Sequence, residues 1–180
     1  MVPTRSERHF SLMPLLVTFA IGIGAATQIA MVGALARQRG IPEATWISLL
    51  ATITGVALVL GARAVRGDMP ALPAPLNQAL PFLVVSGGAG LLLILSLRGI
   101  APYYAVTGLF AVAFLLGTAA LVPRIGVGLF FIVNASGTLL GSAVFDHIGA
   151  FGASPHPFTP MRAAGFLVVF AGIAVVRFAR

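Results

Sequence analysis

Ile125–Gly152 reads IGVGLFFIVNASGTLLGSAVFDHIGAFG, and its first 21 residues, to Phe145, carry no charge. At about 1.5 Å per residue, that run is long enough as a helix to cross a hydrocarbon core about 30 Å thick. Asn134 falls near the middle of the run, where water is scarce and an unpaired amide costs about 1–3 kcal/mol. Asn134, Thr138, Gly141 and Phe145 follow at helical spacing, so one face collects polar and small groups. Gly137 and Gly141 form a G-x-x-x-G step, which lets a second backbone approach closely. Asp146, His147 and Gly149 then end the helix. The stretch reads as a membrane-spanning helix with one face turned toward protein rather than lipid.

Composition extends that reading to the whole chain. Of 180 residues, 59% are hydrophobic and 8% are charged, and the mean hydropathy is +1.05. Soluble domains carry about 25% charged residues. An all-α, polytopic bundle of transmembrane helices is therefore expected, forming a single integral membrane domain over residues 1–180. The formal charge is +7 and the pI about 11.8. All eleven basic residues are arginines, standing singly or in pairs between apolar runs. That is the distribution of membrane-flank anchors. No basic patch with interleaved aromatics points to nucleic acid. There is no cysteine, which excludes disulfides, thiol catalysis and thiolate metal sites. With three scattered histidines and four acids, neither a metal nor a cofactor is expected. No nucleophile–base pair or cluster of acids suggests an enzyme.

Outward from the central stretch, the apolar runs give six spans, near 12–36, 44–62, 80–97, 103–122, 125–145 and 161–176, or five if Leu80–Leu97 is not separate. Met1–Phe10 is a polar lead. A signal peptide also begins this way, but here the apolar run continues through Ile29 to Ala36, so a retained first span is expected. Gln28 lies four residues past the centre of that span. Arg37, Arg39 and Gly40 close it, Pro42 opens the second, and Trp46 suits an interfacial anchor. Gly67–Pro81 holds Pro70, Pro73, Pro75 and Pro81 and reads as an extended linker outside the membrane. In the third span, Ser86-x-x-x-Gly90 is a small-residue packing face. Pro123-Arg124 is tight enough to make the fourth and fifth spans antiparallel neighbours. The polar turn ASPHPFTP precedes the last span, where Gly165 and Gly172 share a face and Arg162 stands at the start. An even number of spans puts both termini on one side. Seven arginines fall there (Arg5, Arg8, Arg63, Arg66, Arg124, Arg177, Arg180), against four on the other side (Arg37, Arg39, Arg98, Arg162), which predicts cytoplasmic termini.

Three stretches resemble the YdcZ family of the drug/metabolite transporter superfamily. GIGAATQIAMVGALARQRGIPEATWISLLATITG, Gly22–Gly55, is similar to its opening pattern of a Gly-rich first helix with a Gln, then basic residues and Gly-x-Pro before the second helix. PRIGVGLFFIVNASGTLLGSAVFDHIGAFG, Pro123–Gly152, resembles its closing D-H-x-G-x-x-G. FTPMRAAGFLVVFAGIAVV, Phe158–Val176, resembles its last helix with Arg-x-x-Gly. Two family features differ: Val32 stands where an Asn usually follows the first-helix Gln, and Thr138 stands where Gly-Gln is usual. The family is usually read as five spans. The resemblance implies a bacterial inner-membrane protein, and half of a ten-helix-type transporter completed by pairing.

The expected function is a small-molecule secondary transporter of the bacterial inner membrane, working in the lipid bilayer as a homodimer or with a sister subunit. The alternative is a non-transporting structural or accessory membrane subunit. The sequence names no substrate. Gln28, Asn134 and Thr138 are the candidates for a substrate path. Each also suits an interhelical hydrogen bond, worth about 0.6 kcal/mol on average. The two amides are expected to approach each other across a contact of the first and fifth helices. Asp146, His147 and Arg162 form a polar cluster. An intramembrane acid marks ion or proton paths, but Asp146 sits at the end of its span, where an ion pair with Arg162 is the simpler reading. Gly137, Gly141, Gly165 and Gly172 are the helix-packing positions.

Overall fold

Two glycines turn the chain back on itself with a single linking residue each. Gly40 (φ 95°) joins α1, Met13–Arg39, to α2, Ile41–Val65, and Gly126 (φ 86°) joins α4, Thr107–Ile125, to α5, Val127–Ile148. Positive φ at such links is open to glycine without a steric penalty. The second link differs from the expected Pro123-Arg124. Proline holds φ near about −65° and cannot supply the reversal, so the helix carries Pro123 in its last turn and reverses three residues later, at Gly126. The remaining helices are α3, Ala79–Ser96, and α6, Pro160–Phe178. A 3-10 turn, Pro102–Val106, leads into α4.

This is a computed structural model, and it describes residues 12–178. Among the described residues, five helical stretches are long and apolar enough to cross a membrane: α1, α2, α3, α4 with its leading turn, and α5. Leu80–Leu97 is thus a helix in its own right, within a residue of the expected bounds. The described apolar part of α6 is shorter, Pro160–Gly172. The helices outrun the uncharged runs at their ends, because arginine stems can follow apolar surface while their heads reach water.

Three hydrogen bonds fix how the helices stand. At the C-terminal end of α1, Arg37 donates to the Phe151 carbonyl (3.1 Å), Gln38 to the Tyr104 hydroxyl (2.8 Å) and Arg39 to the Arg98 carbonyl (2.8 Å). The ends of α1, α3 and α5 and the start of α4 therefore lie together, and successive helices alternate in direction. Arg37, Arg39, Arg98 and Arg162 share one end of the bundle, and Arg63, Arg66 and Arg124 the other. The lead Met1–Phe10, with Arg5 and Arg8, and Arg180 lie outside the described residues. Arg98→Cys and Arg66→Cys are expected to react with an impermeant thiol reagent from opposite faces of the membrane. The chain has no other cysteine to confuse the labelling. Labelling of both from one face would contradict the alternation.

The most extensive helix contact is α1 against α5. α1 also touches α2 and α4, while α3 leans mainly on α2 and, among the described residues, α6 mainly on α5. Leu35, Ile47, Leu50 and Tyr104 belong to the buried core where α1, α2 and the start of α4 meet. Leu109, Phe131 and Val168, on outer faces, are exposed as lipid-facing residues would be.

Candidate functional site

The α1–α5 contact is a crossing of backbones. A β-carbon on Gly22 would collide with the Asn134 carbonyl oxygen, and one on Gly137 with the Phe19 carbonyl oxygen. Further along, Gly141 faces Ala26, whose β-carbon would lie 2.8 Å from an added one. From Gly22 beside Gly137 to Ala26 beside Gly141 both numbers rise, so the two helices run parallel. The Thr138 hydroxyl stands between the Gly22 carbonyl (3.1 Å) and the Asn134 carbonyl (3.0 Å), bonding across the seam or back along its own helix. Asn134 Nδ2 is buried here with no partner among the described residues. Thr138→Val should lower the unfolding midpoint by the loss of about 0.6 kcal/mol, the average for such an interhelical bond. An unchanged midpoint in a thermal melt would remove Thr138 from the seam's energetics.

A second crossing, not anticipated from sequence, joins α4 to α2. A β-carbon on Gly108 would run into the Ala51 backbone, and one on Gly55 would come within 2.7 Å of Val112. Ser86 donates to the Thr54 carbonyl (3.2 Å), and Gly90 faces the Thr54 methyl, so the small face of α3 meets α2. Among the described residues nothing lies against Gly165 or Gly172: a β-carbon on either would stand in open space.

Between α1, α2 and α4 lies a pocket of about 610 Å³, lined by Gln28, Val32 and Ser48 with Ala111, Phe114 and Leu115 among its apolar walls. Gln28 is two residues past the midpoint of α1. It sits six residues beyond Gly22, about 9 Å along the axis and on a different side of the helix. The structure therefore brings Asn134 and Thr138 together at the seam and leaves Gln28 apart from them, in the pocket. Asn134 is not among the residues lining that pocket. Val32, one turn after Gln28, lines the same wall, so the usual family Asn would have added a second amide to it. Ser48 is not among the candidates drawn from the sequence. Its signal, a hydroxyl on an otherwise apolar run, is shared by Thr52 and Thr54 and does not single it out.

The D-H-x-G-x-x-G ending builds a tight corner. Gly149 takes the left-handed conformation (φ 63°), and a β-carbon there would lie 2.7 Å from the Ala153 carbonyl and 2.9 Å from the Pro155 ring. His156 N–H donates to the Asp146 carbonyl (2.7 Å), and Phe158 N–H to His147 Nδ1 (3.2 Å). Arg162 pairs with the Asp146 carboxylate at 3.5 Å and donates to the His156 carbonyl at 3.4 Å. The cluster is thus a joint between α5 and α6 at the end of the bundle, remote from the Gln28 pocket. Among the described residues no group of acids and histidines is arranged to hold a metal.

Searches of curated proteins and of solved structures each found no match. A family model described as "Putative inner membrane exporter, YdcZ" matches residues 13–175. The match takes in the α1–α5 seam, the Gln28 pocket and the Asp146 corner together. The chain belongs to the YdcZ family of the drug/metabolite transporter group, and is a multi-pass inner-membrane protein of a transporter family rather than an enzyme family.

Proposed function

We propose that the chain is one half of a small-molecule secondary transporter, and that the pocket between α1, α2 and α4 receives the substrate. The observation that carries this is the placement of Gln28, near the middle of α1, on the wall of a 610 Å³ pocket. Ligand sites of this kind are mostly apolar with a few placed polar groups. One amide, one hydroxyl and no charge in the lining favour an uncharged or weakly polar molecule that partitions into the bilayer. Ile29 and Leu115, both on the pocket wall, are more than half exposed (66% and 51%), so the pocket lies open on the outer face of the helices. A second copy, or a related chain, supplies the missing wall, and substrate sits between two repeats as in other secondary transporters. Both termini are cytoplasmic in this reading, and Asp146 serves the α5–α6 joint rather than coupling.

Purified protein in liposomes, offered a panel of metabolites and lipophilic drugs, is expected to move at least one of them. Failure with every compound would favour the accessory-subunit reading. Crosslinking in native membranes should trap a dimer or a complex with a sister chain. A monomer that sustains flux would make the single chain the whole pathway.

A further inference from the structure

The seam between α5 and α6 holds a slot that neither the transport pocket nor helix packing uses. Its volume is about 420 Å³. At its mouth stand Asp146 and Arg162; its walls run inward past Ala143 and Phe166 to Leu139 and Val169. From Asp146 to Leu139 is seven residues, about 10 Å along the axis. The slot therefore begins at helix ends, where headgroups lie, and descends into the level of hydrocarbon. It exists because Gly165, on its wall, has no side chain to fill it.

We propose that this slot binds a phospholipid whose headgroup carries both a phosphate and a primary ammonium, with the start of one acyl chain laid between α5 and α6. Charge complementarity names the headgroup. Arg162 and Asp146 meet at only 3.5 Å, with side chains 41% and 50% exposed. Both therefore keep hydrogen-bonding capacity facing outward. The guanidinium presents a planar fork suited to phosphate oxygens. The carboxylate accepts from an N–H-bearing ammonium. The walls name the rest of the ligand, since a water-soluble zwitterion would have no use for about 10 Å of apolar groove. A helix from a second copy, about 10 Å across, would cover the slot from outside and insert only side chains, whereas an acyl chain can follow its length. The lipid also adds contacts to α6, which among the described residues packs mainly on α5.

The test uses the full-length protein in mild detergent, stripped of lipid. Phosphatidylethanolamine, phosphatidylcholine and phosphatidylglycerol of identical acyl chains are titrated in turn, with bound lipid counted by native mass spectrometry. Phosphatidylethanolamine is expected to bind about tenfold more tightly than either of the others, the scale of one charge-assisted hydrogen bond. Phosphatidylcholine offers no N–H to Asp146, and phosphatidylglycerol no cation. Asp146→Asn should bring phosphatidylethanolamine down to the phosphatidylcholine level. Gly165→Leu should weaken all three lipids while leaving the lipid-free unfolding midpoint in place, since its side chain enters open space. Equal binding of the three lipids by the parent protein would overturn the proposal. So would an ethanolamine preference that survives both substitutions. If Gly165→Leu instead splits a dimer into monomers and lipid preference persists, the seam is a subunit contact and the proposal fails.

Discussion

Gly22→Leu is expected to leave almost no folded protein in the membrane. The cause is local and severe: the first added carbon meets the Asn134 carbonyl oxygen, which belongs to the backbone of α5 and cannot rotate away. Overpacking a core ordinarily costs about 1–3 kcal/mol because side chains find other rotamers. Here a whole helix must retreat, and the dispersion contacts along the most extensive interface of the bundle go with it. The loss should exceed that range and approach the whole stability of a domain, about 5–15 kcal/mol. Gly137→Leu should do the same from the opposite side, against the Phe19 carbonyl. Gly172→Leu is the control, since an added β-carbon there meets nothing among the described residues. Yield of monodisperse protein after size exclusion, and the unfolding midpoint of whatever survives, read the result. Gly22→Leu protein with parent yield and midpoint would mean that α1 and α5 do not cross at this point.

Gln28→Leu should reduce substrate flux in liposomes at least about tenfold, the effect of one lost hydrogen bond in a site that water does not fill. Leucine is close to glutamine in size and the pocket wall around this residue is apolar except for Ser48, so the unfolding midpoint should stay where it is. Asn134→Leu is expected to behave in the opposite way. It removes a buried N–H donor that has no partner among the described residues. Replacing such a group with an apolar one of similar shape is neutral or stabilising. The variant should melt at or above the parent temperature and keep its flux. If Asn134→Leu abolishes flux and Gln28→Leu does not, the substrate path runs along the α1–α5 seam and the pocket is a lipid-facing cleft.

These two amides also show where sequence reading stops. Both were legible as groups that need an explanation in a membrane, because the cost of an unpaired amide in hydrocarbon is independent of the fold. Their approach to each other was expected and does not occur. Periodicity says which residues share a face of one helix, but not which neighbour that face meets. α1 has Gly22 and Gly33, eleven residues apart, on one side and Gly24 on another, and all three look alike as invitations to close packing. Only Gly22 has a backbone against it.

What the sequence by itself determined about this protein is what depends on short stretches of chain. Hydropathy over about 20 residues marks the helices, with only the separateness of α3 left open. Arginines at the flanks mark their ends, and the pattern Asp-His-x-Gly-x-x-Gly marks a corner that only glycine can turn at Gly149. Tertiary structure alone decided what depends on two helices at once. It placed the reversal at Gly126 rather than Pro123, set Gly22 against Asn134 and Gly108 against Ala51, and turned Gln28 toward Ser48. It left Gly165 facing an empty slot beside an ion pair. The physical reason is that steric exclusion between backbones, and the space left where it is absent, are properties of the pair of helices rather than of either one.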